Sequence, residues 1–200
     1  MTHKKTIRND FLKKTAKAYY ELLTSISELI RDDDFYEGIK EGLTKFPSNY
    51  YISLAREALP NTPLGKYLIP ANRKDARIGM EKCKRITDYY SKNACKKLEN
   101  SDNADLEFEH MIPKNLFQDK IIGAFRAGGE MSEIEIRKMF EKYWYTATIT
   151  DAENNARPTR TKMPKGSADD DRFARYQDLK SKNELMTQDE FFERLRKKEH

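Results

Sequence analysis

Apolar positions recur early in the chain at three- and four-residue intervals, through Phe11, Thr15, Ala18, Leu22, Ile26 and Leu29. That spacing puts them on one stripe of a helix and predicts an amphipathic helix packed along it. Asp32, Asp33 and Asp34 end the pattern as a solvated acidic run. A second short helix is expected over residues 35–43. A third opens at Pro47-Ser48-Asn49 and carries Tyr51, Leu54 and Leu59. Pro60, Pro63 and Pro70 mark a loop, because proline cannot continue a helix. Residues 75–98 resume helical spacing, with Met80, Cys83, Ile86 and Tyr90 on one side.

The texture changes after the polar breaker Asn100-Ser101-Asp102-Asn103. Leu106, Phe108 and His110 alternate with Glu107 and Glu109, which is strand periodicity, and Pro113 ends the strand. Gly123, Gly128 and Gly129 bracket a loop. Ser132 with Glu135 forms a capping box that opens a helix to Tyr143. Residues 145–149, β-branched and aromatic, predict a second strand, which Trp144 anchors in the core. Thr150 with Glu153 caps a short helix, limited by Pro158. After a Pro/Gly loop at residues 163–166 a charged helix follows, in which Leu185, Phe191, Phe192 and Leu195 dock on the body. The expected fold class is α+β and predominantly helical. A helical domain over residues 1–100, with a DNA-binding or dimerisation role, precedes a strand–loop–strand–helix region over residues 101–200.

Composition narrows the classes. Hydrophobic residues make up 38% and aromatics 11% of the 200 residues, enough for a core and against a disordered chain. No apolar run reaches the ~20 residues of a membrane span, so a soluble, cytoplasmic protein is expected. The two cysteines, Cys83 and Cys95, form no CxxC pair. They exclude a four-cysteine zinc site and read as reduced core thiols on one helix. The net charge of +5 permits nucleic-acid binding without demanding it. Between Arg73 and Lys97, nine basic residues face three acidic ones, as a solvated helix face or a DNA clamp. Between Arg157 and Lys165 there are four basic residues and no acidic one.

Of three histidines only His110 is internal, and it follows Glu109 at the end of a predicted strand. Histidine, whose ordinary pKa is about 6.5, is the side chain suited to take a proton from water near neutral pH. The Glu109 carboxylate beside it is a hard oxygen donor of the kind magnesium prefers. The run Glu109-His110-Met-Ile-Pro-Lys resembles the acidic-His motif of HNH (ββα-metal) endonucleases. The later runs from Thr148 to Pro158, at Thr161 to Lys165 and at Arg172 to Tyr176 are similar to restriction-type or defence-associated bacterial members of that superfamily. The resemblance covers residues 106–176 and departs from the family in a long insertion after His110 and in Glu for Asp before it.

The resemblance implies an HNH-like ββα-metal unit in the C-terminal half that hydrolyses phosphodiester bonds in double-stranded DNA. Mg2+ or Mn2+ is the implied cofactor. His110 is then the general base, Glu109 and Asn154 are catalytic metal ligands, and Asn155 is a neighbouring alternative ligand. Asn115 is a candidate for orienting the imidazole. Arg157, Arg160, Lys162, Lys165, Arg172 and Arg175 are candidate phosphate or base contacts. A site-specific enzyme that cuts both strands is expected as a homodimer. The alternatives are a non-catalytic DNA-binding or interaction protein with a degenerate site, and a toxin or RNA-directed nuclease.

Overall fold

The computed structural model describes residues 7–69, 79–129, 131–159 and 162–198. The helices in chain order are α1 (Ile7–Ser25), α2 (Asp33–Ala58), α3 (Pro63–Leu68), α4 (Met80–Cys83) and α5 (Lys92–Glu99). They continue with α6 (Asn115–Arg126), α7 (Glu133–Tyr143), α8 (Asp151–Asn155), α9 (Gln177–Ser181) and α10 (Gln188–Lys197). Four strands, β1 (Tyr89–Ser91), β2 (Leu106–His110), β3 (Thr146–Thr150) and β4 (Leu185–Thr187), make one sheet in the order β2-β3-β1-β4. The class is α+β and predominantly helical. No helix among the described residues is long and apolar enough to cross a membrane.

Two compact units form, Met1–Tyr51 with Pro113–Trp144 and Ile52–Ile112 with Tyr145–His200. Each draws on two stretches of chain, so neither coincides with the first or second hundred residues. The first unit is helical. Its core is aromatic: Phe11 meets Tyr51 edge-on at 5.2 Å, Tyr19 stacks on Phe140 at 6.1 Å, and Trp144 lies 5.1 Å from Phe140 and 5.6 Å from Tyr51. Trp144 is buried here, before β3 begins. The buried face of α1 is Phe11, Leu12, Thr15, Ala16, Tyr19 and Leu23, rotated from the expected stripe so that Tyr19 enters the core. Leu29 is exposed.

Where two helices were expected, α2 runs on through Pro47. Leu43, Pro47, Tyr51 and Ala55 are all buried at four-residue intervals, and that continuous apolar row outweighs the one donor that proline removes. The acidic run begins this helix rather than ending its predecessor: the Asp32 carboxylate accepts a 2.7 Å bond from the Phe35 amide, at the end where the helix dipole favours negative charge. A further helix, α6, occupies part of the segment read as a glycine loop, with Phe117, Ile121, Ile122 and Phe125 buried.

The second unit holds the sheet. β2 pairs antiparallel with β3, β1 runs parallel to β3, and β4 pairs antiparallel with β1. The single helix expected over residues 75–98 is instead α4, β1 and α5, so Cys83 and Cys95 lie on different helices, both buried and unbridged. Asp88 is the breaker. Its carboxylate accepts from the Thr146 amide at 2.7 Å and the Thr146 hydroxyl at 3.0 Å, tying the chain to β3. Ser91 then caps α5 by accepting from the Ala94 amide. Leu185 lies on β4 rather than on the expected helix. Thr187 and Glu190 cap α10, which buries Phe191, Phe192 and Leu195 as expected. The capping boxes at Ser132–Glu135 and Thr150–Glu153 are both formed where the sequence predicts them.

Candidate functional site

β2 is an edge strand whose register sets the site: Glu109 pairs with Ala147 and His110 with Thr146. Successive side chains of a strand point to opposite faces. Glu107 and Glu109 therefore share a face with Ala147 and Ile149, over which Met111 and Tyr176 complete a buried cluster. Phe108 and His110 share the other face, and their rings meet edge-on at 5.4 Å. α8 starts directly after β3, held by the Thr150–Glu153 box. Glu153 also accepts from the Ser91 hydroxyl at 2.6 Å and the Asn93 amide at 3.0 Å, which links α8 to β1 and α5. Asn154 is thereby fixed one turn from the strand end.

Around Glu109 the side chains converge. Arg157 places one guanidinium nitrogen 3.0 Å from the Glu109 carboxylate and donates with it to the Asn154 side-chain oxygen. Its other nitrogen donates to the Tyr176 hydroxyl at 3.0 Å. Arg175 reaches the same carboxylate at 3.7 Å and donates to the His110 carbonyl at 2.8 Å. The Arg157 and Arg175 side chains are only 4% and 1% exposed, against 21% for Glu109. Burial lowers the Arg175 pKa and pushes the Tyr176 hydroxyl up to about 12, so the phenol stays protonated. Burial, then the charges of Asp151 and Glu109, also pushes the Glu107 carboxyl above its ordinary range, while Arg85 opposes the shift.

The structure thus brings Glu109 and Asn154 together, joined by Arg157, and sets His110 on the other face of the same strand. Asn155 is exposed at the last position of α8. Asn115 is exposed at the start of α6, in the other compact unit. Lys162 and Lys165 are exposed, whereas Arg157 and Arg175 are taken up by Glu109. Arg172 lies over the Tyr145 ring at 4.4 Å and the Phe173 ring at 5.2 Å. Arg160 lies outside the described residues. Of the basic stretch between Arg73 and Lys97, Arg73, Lys74 and Arg77 lie outside the described residues; among the described ones Lys84 pairs with Glu81, Lys97 pairs with Asp102, and Arg85 is buried. The buried guanidinium of Arg85 donates to Asn103 at 2.7 Å and to the Leu106 carbonyl at 2.8 Å.

Sequence reasoning missed Tyr176 as a site residue. Its only signal is the Ala-Arg-Tyr run, in which an aromatic follows a basic residue outside any periodic element. Among the described residues no group of three or more His, Cys, Asp or Glu could hold a metal ion. Glu109 and Asn154 are nonetheless two hard oxygen donors aimed at one point, and magnesium commonly takes one or two protein oxygens and fills its remaining positions with water and phosphate. Glu109 and Asn154 would be the two protein oxygens offered to such a cation, and both now bond to the Arg157 guanidinium. Scans against protein-family models, curated proteins and solved structures find no match to the chain.

Proposed function

We propose that the protein is a metal-dependent endonuclease of the HNH-like ββα type, acting on DNA as a restriction-type dimer. The observation that carries this reading is the meeting of Glu109, from β2, with Asn154, from α8, at a single cationic point. Two strands paired antiparallel and then a short capped helix are the order of elements the reading requires, and β2, β3 and α8 follow it.

In this reading Glu109 and Asn154 would hold Mg2+ or Mn2+, which would supply charge stabilisation for the scissile phosphate and the leaving oxygen. His110, the last residue of edge strand β2, takes the proton from the attacking water. Its position at the strand end lets a phosphodiester crossing that end meet His110 from one face and Glu109 from the other. Arg157 holds the two oxygen donors together. Lys162 and Lys165, exposed on the segment after α8, supply further phosphate contacts.

The test is cleavage of plasmid DNA by the parent and by His110→Ala, with Mg2+ or Mn2+ and with a chelator. Discrete fragments from the parent, lost with chelator and reduced about a hundredfold or more in the variant, are expected. Equal cutting by His110→Ala overturns the site. A second reading, a non-catalytic DNA-binding protein with a degenerate site, is favoured by the Arg157 guanidinium already filling the point between the donors. Salt-sensitive DNA binding without cleavage of DNA or RNA would select it.

A further inference from the structure

Beside the Glu109 centre, residues of α8 and α9 line a cavity of about 550 Å³. That volume lies within the roughly 300–1,000 Å³ of small-molecule sites. Its apolar wall includes Ala156, Pro158 and Leu179, and its polar lining includes Gln177, Lys182 and the carboxylates of Glu153, Asp178 and Glu184. Arg157 and Tyr176 line it too, so one guanidinium borders both the cavity and the point where Glu109 and Asn154 meet.

We infer that this cavity is a nucleobase pocket, which receives one unstacked nucleotide of the substrate strand. The apolar wall of Ala156, Pro158 and Leu179 suits the flat faces of a base. The polar lining mixes signs in a way that suits a base edge. The Gln177 amide both donates and accepts, while the Asp178 carboxylate accepts from exocyclic amino groups. Lys182, exposed, supplies the counter-charge for a 5′-phosphate. A simple anion would have no use for Asp178 beside Lys182, and a lipid tail would have none for Gln177. Lodging a base there takes one nucleotide of the duplex out of the stack and brings it beside the Glu109 centre. The link to cleavage rests on the nuclease reading; the binding itself does not.

The experiment is titration of the full chain with the four deoxynucleoside 5′-monophosphates, followed by calorimetry or by amide chemical shifts. At least one is expected to bind saturably. Ala156→Trp fills the cavity from an exposed position and is expected to weaken binding about tenfold or more with an unchanged melting temperature. Lys182→Glu, also at an exposed position, is expected to weaken the nucleotide while leaving the corresponding nucleoside unaffected. His110→Ala is expected to bind as the parent does, so a failure of catalysis and a failure of the pocket give different results. Absence of saturable binding by all four, or parental affinity in both pocket variants, overturns the inference.

Discussion

Glu107 lies on the same strand face as Glu109, partly withdrawn from water, with the charges of Asp151 and Glu109 nearby. Its folded pKa is raised above the ordinary 4.5, so folding disfavours its ionised form. The sign follows: near neutral pH the carboxylate is charged in both states and destabilises the fold, and the penalty fades as pH falls through the raised value to 4.5 and below. Glu107→Gln is therefore expected to raise the melting temperature at pH 7 and to leave it unchanged near pH 3.5, where both states of the parent are protonated. Equal stability of the two proteins at pH 7 would refute the raised pKa. Glu109 and His110 stood out because an isolated histidine after an acid, at the end of an alternating run, needs only three adjacent facts. Arg157, Arg175 and Arg85 were misleading, since a basic residue reads as solvent-facing and nothing local reveals that a carboxylate or carbonyl waits to bury it.

Short helices depend on their ends, and α8 is only five residues long. A helix of that length has no propensity of its own to rely on, so the Thr150–Glu153 box and the further bonds from Ser91 and Asn93 to Glu153 hold it. Glu153→Ala removes every bond to the Glu153 carboxylate at once, leaving only that from the residue's amide to the Thr150 hydroxyl, and is expected to cost about 1–2 kcal/mol in urea unfolding. A loss within experimental error would mean that α8 is held by something other than its cap. Such caps are legible because they rest on residues three apart. The three-residue strands β1 and β4 are not, because alternation cannot be told from chance over so short a run, and β1 depends on β3 lying alongside as β4 depends on β1. The helix α6 is legible in the helical spacing of Phe117, Ile121, Ile122 and Phe125, which the glycines at 123, 128 and 129 obscure by signalling a loop.

At the scale of the molecule, both thiols are sealed inside the second unit. Cys83 and Cys95 are fully buried, and burial raises both pKa values, that of Cys95 to about 12. Neither is expected to react with Ellman's reagent at pH 8 in the native protein on the timescale of minutes, with two equivalents released on denaturation. A rapidly reacting native thiol would show that the second unit opens well below its global stability. The interleaving of the units was beyond sequence reading, since which segments share a core is decided by contacts between positions far apart in the chain. It also fixes a timetable for a chain made from its N-terminus. The last residue of the helical unit, Trp144, leaves the ribosome just ahead of β3. β3 is the central strand that β1 and β2 both require, so two sheet strands must wait unpaired, shielded only by their shortness, until the helices between them have been made.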